Sequence, residues 1–217
     1  MQNTNWRLRR LCVMAVLCAM AFAAVSLVRI PVVSFLKYEP KDVLLVIGAF
    51  LFGPLAGGIM SALVALVEMI TISDTGIIGC AMNLLSSCLF VCTAAAIYQH
   101  RRNLIGAVIG LVCGSLAATA GMLLWNYLIT PLYMELPRQA VAEMLLPVFL
   151  PFNLLKTALN STLTMLLYKP IVAALRASRL LPPTETSGKK HARAAWVISL
   201  FVLATLVLVL LAMNGII

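Results

Sequence analysis

The sequence contains few charged residues for its length. Asp, Glu, Lys and Arg together make up 11% of its 217 residues, whereas hydrophobic residues make up 63%. A soluble domain of this size needs more polar surface than this composition can supply. The composition therefore excludes a soluble globular protein and predicts an integral membrane protein.

Motifs for nucleotide hydrolysis and for hydrolytic catalysis are also absent. The "SGKK" at residues 187–190 lacks the upstream glycine and the following Ser or Thr of a phosphate-binding loop. Neither H-E-x-x-H nor G-x-S-x-G occurs. A carboxylate inside a span is energetically costly and usually has a function. An intramembrane enzyme built on Glu68 and Asp74 is therefore an alternative. Only Glu68 lies well inside a predicted span, however, so no catalytic function is predicted.

Histidine is scarce, and the cysteines lack the spacing of metal ligands. The six cysteines all fall inside apolar segments without a C-x-x-C pair, and the two histidines lie in basic loops. This pattern predicts neither a metal site nor a disulfide framework, and it favours the cysteines as small apolar packing residues. We expect no bound metal or cofactor.

Apolar segments that suit membrane spans follow one another along the chain. A helix needs about 20 apolar residues to cross the hydrocarbon core. The sequence predicts helical segments at about 11–28, 41–53, 55–72, 77–98, 104–130, 148–168 and 194–213. The second segment is short, and the Gly and Pro of "FGPLAGG" join it to the third by a turn. We expect this short segment to be broken or partly buried by its neighbours.

The distribution of basic residues predicts the orientation in the membrane. If the seven segments alternate in direction, basic clusters of three, two and six residues fall on one side, and four basic residues fall on the other. The positive-inside rule makes the richer side cytoplasmic, which places the N-terminus in the cytoplasm. The net charge of +9 does not predict nucleic-acid binding, because the basic residues lie in short runs between apolar spans.

The two ends of the chain need separate interpretation. The first 23 residues resemble a secretory signal peptide in their basic start, apolar run and small-residue triplet. The apolar run continues to Val28, however, and the orientation count favours a retained helix. Near the other end, residues 181–193 are polar and rich in proline, which is typical of a linker. We therefore predict a membrane domain at 1–180, a cytoplasmic linker at 181–193 and an additional transmembrane helix at 194–217.

Polar side chains inside the predicted spans share one membrane depth. Asn126 lies toward the outer end of the fifth span, and Asn153 and Lys156 begin the sixth. A lysine inside a span costs about 2.5–3.5 kcal/mol on insertion scales, so it should face the protein interior and serve a function. Together with the loop at 34–40 on the same side, these residues can form one pocket. The alternative is that each asparagine makes an interhelical hydrogen bond. That alternative is favoured for two other asparagines, which are Asn83 and Asn160.

The first predicted helix carries a face of small residues. Ala15, Ala19 and Ala23 recur every four residues, so another helix can approach this face closely. Packing of the face inside the bundle is the alternative.

Several blocks of the sequence resemble the riboflavin-binding S component, the substrate-specificity subunit of energy-coupling-factor (ECF) vitamin transporters. The first block is "LKYEPKDVLLVIGAFLFGPLAGGIMSALV", and the later blocks are "NLIGAVIG", "NYLITPLY" and "PFNLLK" followed by "LLYKP". They occur in the family's order from about residue 10 to residue 172, and their combination is specific.

The resemblance implies an all-α membrane protein with a six-helix transmembrane bundle in the bacterial cell membrane. It implies that the vitamin is held near the outer face under a lid formed by the first loop, which contains Leu36, Lys37 and Tyr38. The positions that hydrogen-bond the flavin in this family correspond to Asn126, Asn153 and Lys156. The isoalloxazine edge alternates acceptors and donors, which amide side chains can read in either direction. Riboflavin is then a transported ligand and not a cofactor.

The resemblance also implies partners, which are a transmembrane coupling subunit and two cytoplasmic ATPases. In the family, an A-x-x-x-A face on the first helix contacts the coupling subunit, which assigns that role to the alanines named above. Two departures from the family are the extra span at 194–213 and Glu68, where relatives often have a basic residue. The open alternatives are an S component for another vitamin or flavin-like compound and, from a different class, a membrane scaffold or intramembrane enzyme.

Overall fold

Helices account for most of the part of the chain that the structure, a computed structural model, describes. The described residues are 2–33, 36–73, 76–134, 137–181, 199–200 and 202–207. Their main helices, in chain order, are α1 (Gln2–Leu27), α2 (Lys41–Phe52), α3 (Pro54–Thr71), α4 (Gly76–His100), α5 (Leu104–Met134), α6 (Arg138–Met144) and α7 (Leu150–Ala177). Within these residues, five helical stretches are long and apolar enough to cross a membrane. The prediction of a helical integral membrane protein is thereby confirmed.

The short helix α2 lies inside the bundle, as expected for a helix that cannot span a membrane alone. It has 12 residues, and those from Lys41 to Phe50 are all buried. The chain reverses direction at Gly53, whose φ of 100° favours glycine. A Cβ atom at this position would lie 2.5 Å from the side-chain nitrogen of Gln99. The reversal between α2 and α3 therefore depends on glycine at position 53.

Helix α1 packs on the bundle through one face. Val13, Leu17, Ala21 and Val25 are fully buried and recur at every fourth position, which places them on a single stripe. This stripe contacts α2 and α3. The apolar residues of α1, α2, α3, α4, α5 and α7 form one continuous core.

Two elements at one end of the bundle were not predicted from the sequence. Strands β1 (Ile30–Val33) and β2 (Leu36–Tyr38) form an antiparallel hairpin between α1 and α2. The second element is α6, which continues through a π-helical turn (Leu145–Phe149) directly into α7. This turn contains Pro147, which cannot donate an intrahelical hydrogen bond, and such a residue disturbs the α-helical pattern. The hairpin, α6 and the start of α7 share a second apolar cluster at this end.

Several observed helices are longer than the predicted segments. Helix α1 begins at Gln2, and α7 continues to Ala177 beyond the predicted end at residue 168. Apolar runs mark only the part of a helix that contacts lipid, whereas the helix itself continues among polar residues at the membrane surface. The predicted linker lies outside the described residues apart from Leu181. Of the additional helix, residues 199–200 and 202–207 are described and are helical, so the domain division stays a prediction.

Candidate functional site

A cavity of about 140 Å³ lies at the end of the bundle that carries the β-hairpin. This end also contains the C-terminus of α3, the start of α4, the second half of α5 and the start of α7, because consecutive helices run in opposite directions. The structure brings five of the six predicted binding residues together in the cavity wall, and these are Leu36, Lys37, Asn126, Asn153 and Lys156. Residues distant in sequence therefore share one site.

Tyr38 is the predicted residue that does not line this cavity. Its hydroxyl donates to Asn160 Oδ1 at 2.9 Å. Burial, and then the nearby Asp42 carboxylate, raise the pKa of Tyr38, so the phenol keeps its proton and remains a donor. Asp42 in turn accepts hydrogen bonds from Asn160 Nδ2 at 3.4 Å and from Ser87 Oγ at 2.5 Å. This network fastens the hairpin to α7, α2 and α4, and it gives Asn160 the interhelical role favoured for it.

The two predicted asparagines use opposite atoms of their side-chain amides in hydrogen bonds within the protein. Asn153 Nδ2 donates to the carbonyl oxygen of Phe149 at 2.8 Å. Because a carbonyl can only accept, the amide nitrogen must face it, and Asn153 Oδ1 is left as an acceptor for the cavity. Asn126 Oδ1 accepts from Thr130 Oγ1 at 3.0 Å, which leaves its Nδ2 as a donor. The cavity wall therefore offers one amide acceptor and one amide donor.

Lys156 is buried in the cavity wall with one weak polar contact. It is 8% exposed, and its Nζ lies 3.5 Å from Ser86 Oγ. Among the described residues, no carboxylate lies within ion-pair distance of Lys156. An ammonium group has three donors, so this lysine retains the capacity to donate to a bound molecule.

A second buried lysine, Lys41, is surrounded by carboxylates. It is 2% exposed and pairs with Glu39 Oε2 at 3.0 Å and with Glu68. Glu39 also lies 3.2 Å from Arg29 Nε. Burial alone would raise the pKa of Glu39, but the charges of Lys41, Lys156 and Arg29 outweigh burial and lower it. Glu39 is therefore ionised at neutral pH and joins the base of the hairpin to α2.

Glu68 serves as an internal partner and does not line the cavity. It is 1% exposed, and its Oε2 accepts from Lys41 Nζ and from Asn83 Nδ2, the latter at 3.1 Å. Asp74, its partner in the enzyme alternative, lies outside the described residues. Glu68 therefore forms an ion pair with Lys41 and contacts the cavity wall only indirectly, through its hydrogen bond with Asn83.

Sequence reasoning missed part of the polar wall. Glu39, Asn83 and Ser86 line the cavity, and none of them was predicted to do so. One signal could have found two of them. Asn83 and Ser86 are three residues apart on one helix, so they share a face.

The three alanines of α1 are exposed. Ala15, Ala19 and Ala23 lie on the side of α1 away from its buried stripe. In the described part of the chain, the face is thus not used for packing inside the bundle, and the alternative of internal packing loses its support.

Comparison with known proteins gives a consistent family. A family model described as "ECF transporter, substrate-specific component" matches residues 9–168. Riboflavin transporter RibU of Staphylococcus aureus (strain TCH60) is 28% identical over an alignment of 178 residues that covers 77% of this chain and 93% of the relative. Riboflavin transporter FmnP of Bacillus subtilis (strain 168) is 26% identical over an alignment of 189 residues that covers 80% of this chain and 99% of the relative.

A solved structure has a similar fold. It is described as "Structure and mechanism of the S component of a bacterial ECF transporter" and superposes with a TM-score of 0.65 at 27% sequence identity. The similarity covers 81% of this chain and 99% of the other. It therefore extends over nearly the whole of the other chain.

Proposed function

The chain belongs to the family of ECF transporter substrate-specific components, and on that premise we propose that it binds riboflavin at the outer membrane face for ATP-driven uptake. Members of this family are substrate-binding membrane subunits of transporters, so the chain is not an enzyme. The observation that carries the proposal is the grouping of Asn126, Asn153 and Lys156 in one cavity wall. Two relatives named as riboflavin transporters support the choice of ligand.

The chemistry of the cavity suits a flavin. Met122 and Phe152 supply apolar wall for a tricyclic ring, and the two predicted asparagines supply one amide donor and one amide acceptor. Lys156 can donate to a ring carbonyl or to a ribityl hydroxyl. Apolar walls with a few convergent polar groups are typical of small-molecule sites.

Purification in detergent tests the ligand. We expect the protein to co-purify yellow with flavin absorbance and, after the flavin is removed, to quench the fluorescence of added riboflavin. Lys156→Met is a matched control that should purify in similar yield with much less flavin. A colourless wild-type protein that also fails to quench riboflavin contradicts the assignment.

We also infer that a transmembrane coupling subunit docks on the alanine face of α1 and that cytoplasmic ATPases drive uptake. The exposure of Ala15, Ala19 and Ala23 supports this surface. Helix packing in membranes depends on close contact between small residues. Ala19→Trp should therefore leave riboflavin binding normal but reduce both uptake in cells and co-purification with the coupling subunit. Ala19→Ser is the control that keeps the face small, and unchanged uptake by Ala19→Trp would place the docking surface elsewhere.

The cytoplasmic location of the N-terminus also belongs to this proposal. The end of the bundle opposite the cavity carries most of the basic residues of the described chain, including Arg7, Arg101 and Arg176, and basic residues favour the cytoplasmic side. A cysteine introduced near residue 5 should react with a membrane-impermeant thiol reagent only in permeabilised cells, and labelling of intact cells would reverse the orientation.

Another vitamin or flavin-like compound is the alternative ligand. Glu68 was its main support, because relatives often carry a basic residue there. Glu68 does not line the cavity and is bonded to Lys41 and Asn83. Because Glu68 does not contact the cavity, it gives no direct reason to expect a different ligand, and riboflavin remains the proposed substrate.

A further inference from the structure

Asn83 occupies a part of the cavity wall that no predicted binding residue covers. It lies on α4, and its Nδ2 donates to Glu68 Oε2 at 3.1 Å. A carboxylate can only accept hydrogen bonds, so the amide nitrogen must face Glu68. Asn83 Oδ1 is then left on the cavity side as an acceptor whose direction is fixed.

The partners of Glu68 keep this arrangement in place. Glu68 is 1% exposed and is paired with Lys41, which is itself held by Glu39. Glu68 Oε2 accepts from Lys41 Nζ as well as from Asn83 Nδ2, so this oxygen offers Asn83 no donor. The asparagine therefore gains no hydrogen bond by turning its amide over.

We propose that Asn83 is a further substrate-binding residue, whose Oδ1 accepts a hydrogen bond from the ligand, and that Glu68 is the positioning residue that fixes the amide. The proposal rests on the proposed function, because the ligand must be a flavin. A flavin has two kinds of donor that could meet this oxygen, which are the hydroxyls of the ribityl chain and the ring N3–H. In both cases the pair of Glu68 and Asn83 selects a ligand that brings a donor to α4 and disfavours one that brings only acceptors.

The first experiment measures flavin affinity of the full-length protein in detergent by fluorescence quenching. Asn83→Leu has a similar volume but no amide, and it should weaken riboflavin binding roughly tenfold because a ligand donor is left unpaired. Each variant is then compared with the wild type for lumiflavin, which lacks the ribityl hydroxyls, and for 3-methylriboflavin, which lacks the ring N–H. A loss that disappears with lumiflavin identifies a hydroxyl as the donor, and a loss that disappears with 3-methylriboflavin identifies the ring. A loss that persists unchanged with both analogues overturns the proposal.

The second experiment tests whether Glu68 acts through Asn83. Glu68→Leu should weaken riboflavin binding several-fold, and the double variant with Asn83→Leu should bind no more weakly than Asn83→Leu alone, because residues that act as a unit are not additive. Glu68→Gln retains an acceptor for the amide and should bind within about threefold of the wild type, because the hydrogen bond that positions Asn83 is kept. Additive losses, or a Glu68→Gln variant as weak as Glu68→Leu, would overturn the positioning role.

Controls separate this inference from folding and from the proposed function. Ser61→Ala removes a buried hydroxyl that bonds to Gly57 within α3 and lies off the cavity, so its affinity should match the wild type. Thermal melting identifies any variant that does not fold, and if Glu68→Leu is one of these, the Asn83→Leu and Glu68→Gln variants decide the result. A wild type that binds no flavin removes the proposed function and this inference together. A wild type that binds riboflavin beside an unaffected Asn83→Leu removes only the inference.

Discussion

The two buried lysines, Lys41 and Lys156, have opposite surroundings at the same end of the bundle. Lys41 is 2% exposed and lies between the carboxylates of Glu39 and Glu68. Lys156 is 8% exposed and lines the cavity, with Ser86 Oγ at 3.5 Å as its polar contact in the described chain. A buried ammonium group that is already neutralised serves the fold, whereas one whose donors remain free can serve a ligand. Burial alone does not distinguish these two roles; the partners do.

The largest effect is expected from Lys41→Met. The substitution leaves Glu39 and Glu68 buried without the cation between them, and breaking a buried pair by removing one partner costs about 3–5 kcal/mol. We expect a much lower melting temperature in detergent or no folded protein at all. The double variant Lys41→Met with Glu68→Met should recover part of the loss. A single variant that melts like the wild type would mean that Lys41 does not hold these helices together.

Lys156→Met should reverse the pattern. Among the described residues, the substitution leaves no carboxylate without its ion-pair partner, so the melting temperature should stay near that of the wild type. Riboflavin affinity should fall roughly tenfold or more, because a ligand polar group in a buried site loses its partner at a cost of about 1–3 kcal/mol. Binding and melting are both measured on the same preparation. Unchanged affinity would give Lys156 a structural role and remove the contrast between the two lysines.

A smaller effect is expected from acidification, which protonates Glu39. This carboxylate pairs with Lys41, and the charge of Lys156 also lowers its pKa. The pKa of Glu39 lies below its ordinary value of 4.5 in the folded protein. A lowered native pKa contributes stability at pH values above the unfolded pKa, and that stability is lost as the pH falls through the native pKa. We therefore expect melting temperature and riboflavin affinity to be constant from pH 7 to about pH 5 and to fall below the ordinary pKa of a carboxyl group.

Glu39→Gln provides the matching variant for this titration. Because it cannot gain a proton at this position, it should show a lower plateau at neutral pH and a flatter decline on acidification. A variant with the same acid profile as the wild type would assign the decline to a different carboxylate.

The smallest effect is expected from removal of the C-terminal segment. Leu203 and Leu206 pack against the apolar cluster beside the hairpin, but neither lines the cavity. Truncation after Leu181 should therefore leave a folded protein whose riboflavin affinity is within about threefold of the full chain, a change of less than 1 kcal/mol. Loss of binding on truncation would make the segment part of the binding domain.

The sequence predicted the elements whose signal is local. Long apolar runs located the spans, and Asn153 and Lys156 stood out because polar residues in such runs are costly. The family resemblance is confirmed by the family match over residues 9–168. The structure also brings Asn126 to the same cavity as these two residues, although the binding of riboflavin there stays a prediction.

The features that sequence reasoning missed depend on contacts between distant segments. Lys41 is the first residue of the predicted segment 41–53, and its burial follows only from the position of α2 inside the bundle. Glu68 stood out as a departure from the family, but its partners come from 27 and 15 residues away. The hairpin was missed because its strands are only four and three residues long, which is too short for a clear alternating pattern.

The reversal at Gly53 has a consequence for biogenesis. With 12 residues, α2 is too short to be inserted into the bilayer as an independent segment, and it starts with the charged residues Lys41 and Asp42. Helix α3 follows directly and carries Glu68 near its other end, where the antiparallel arrangement places it beside Lys41. We expect the two helices to leave the translocon as one helical hairpin, with opposite charges already neutralised before they meet lipid.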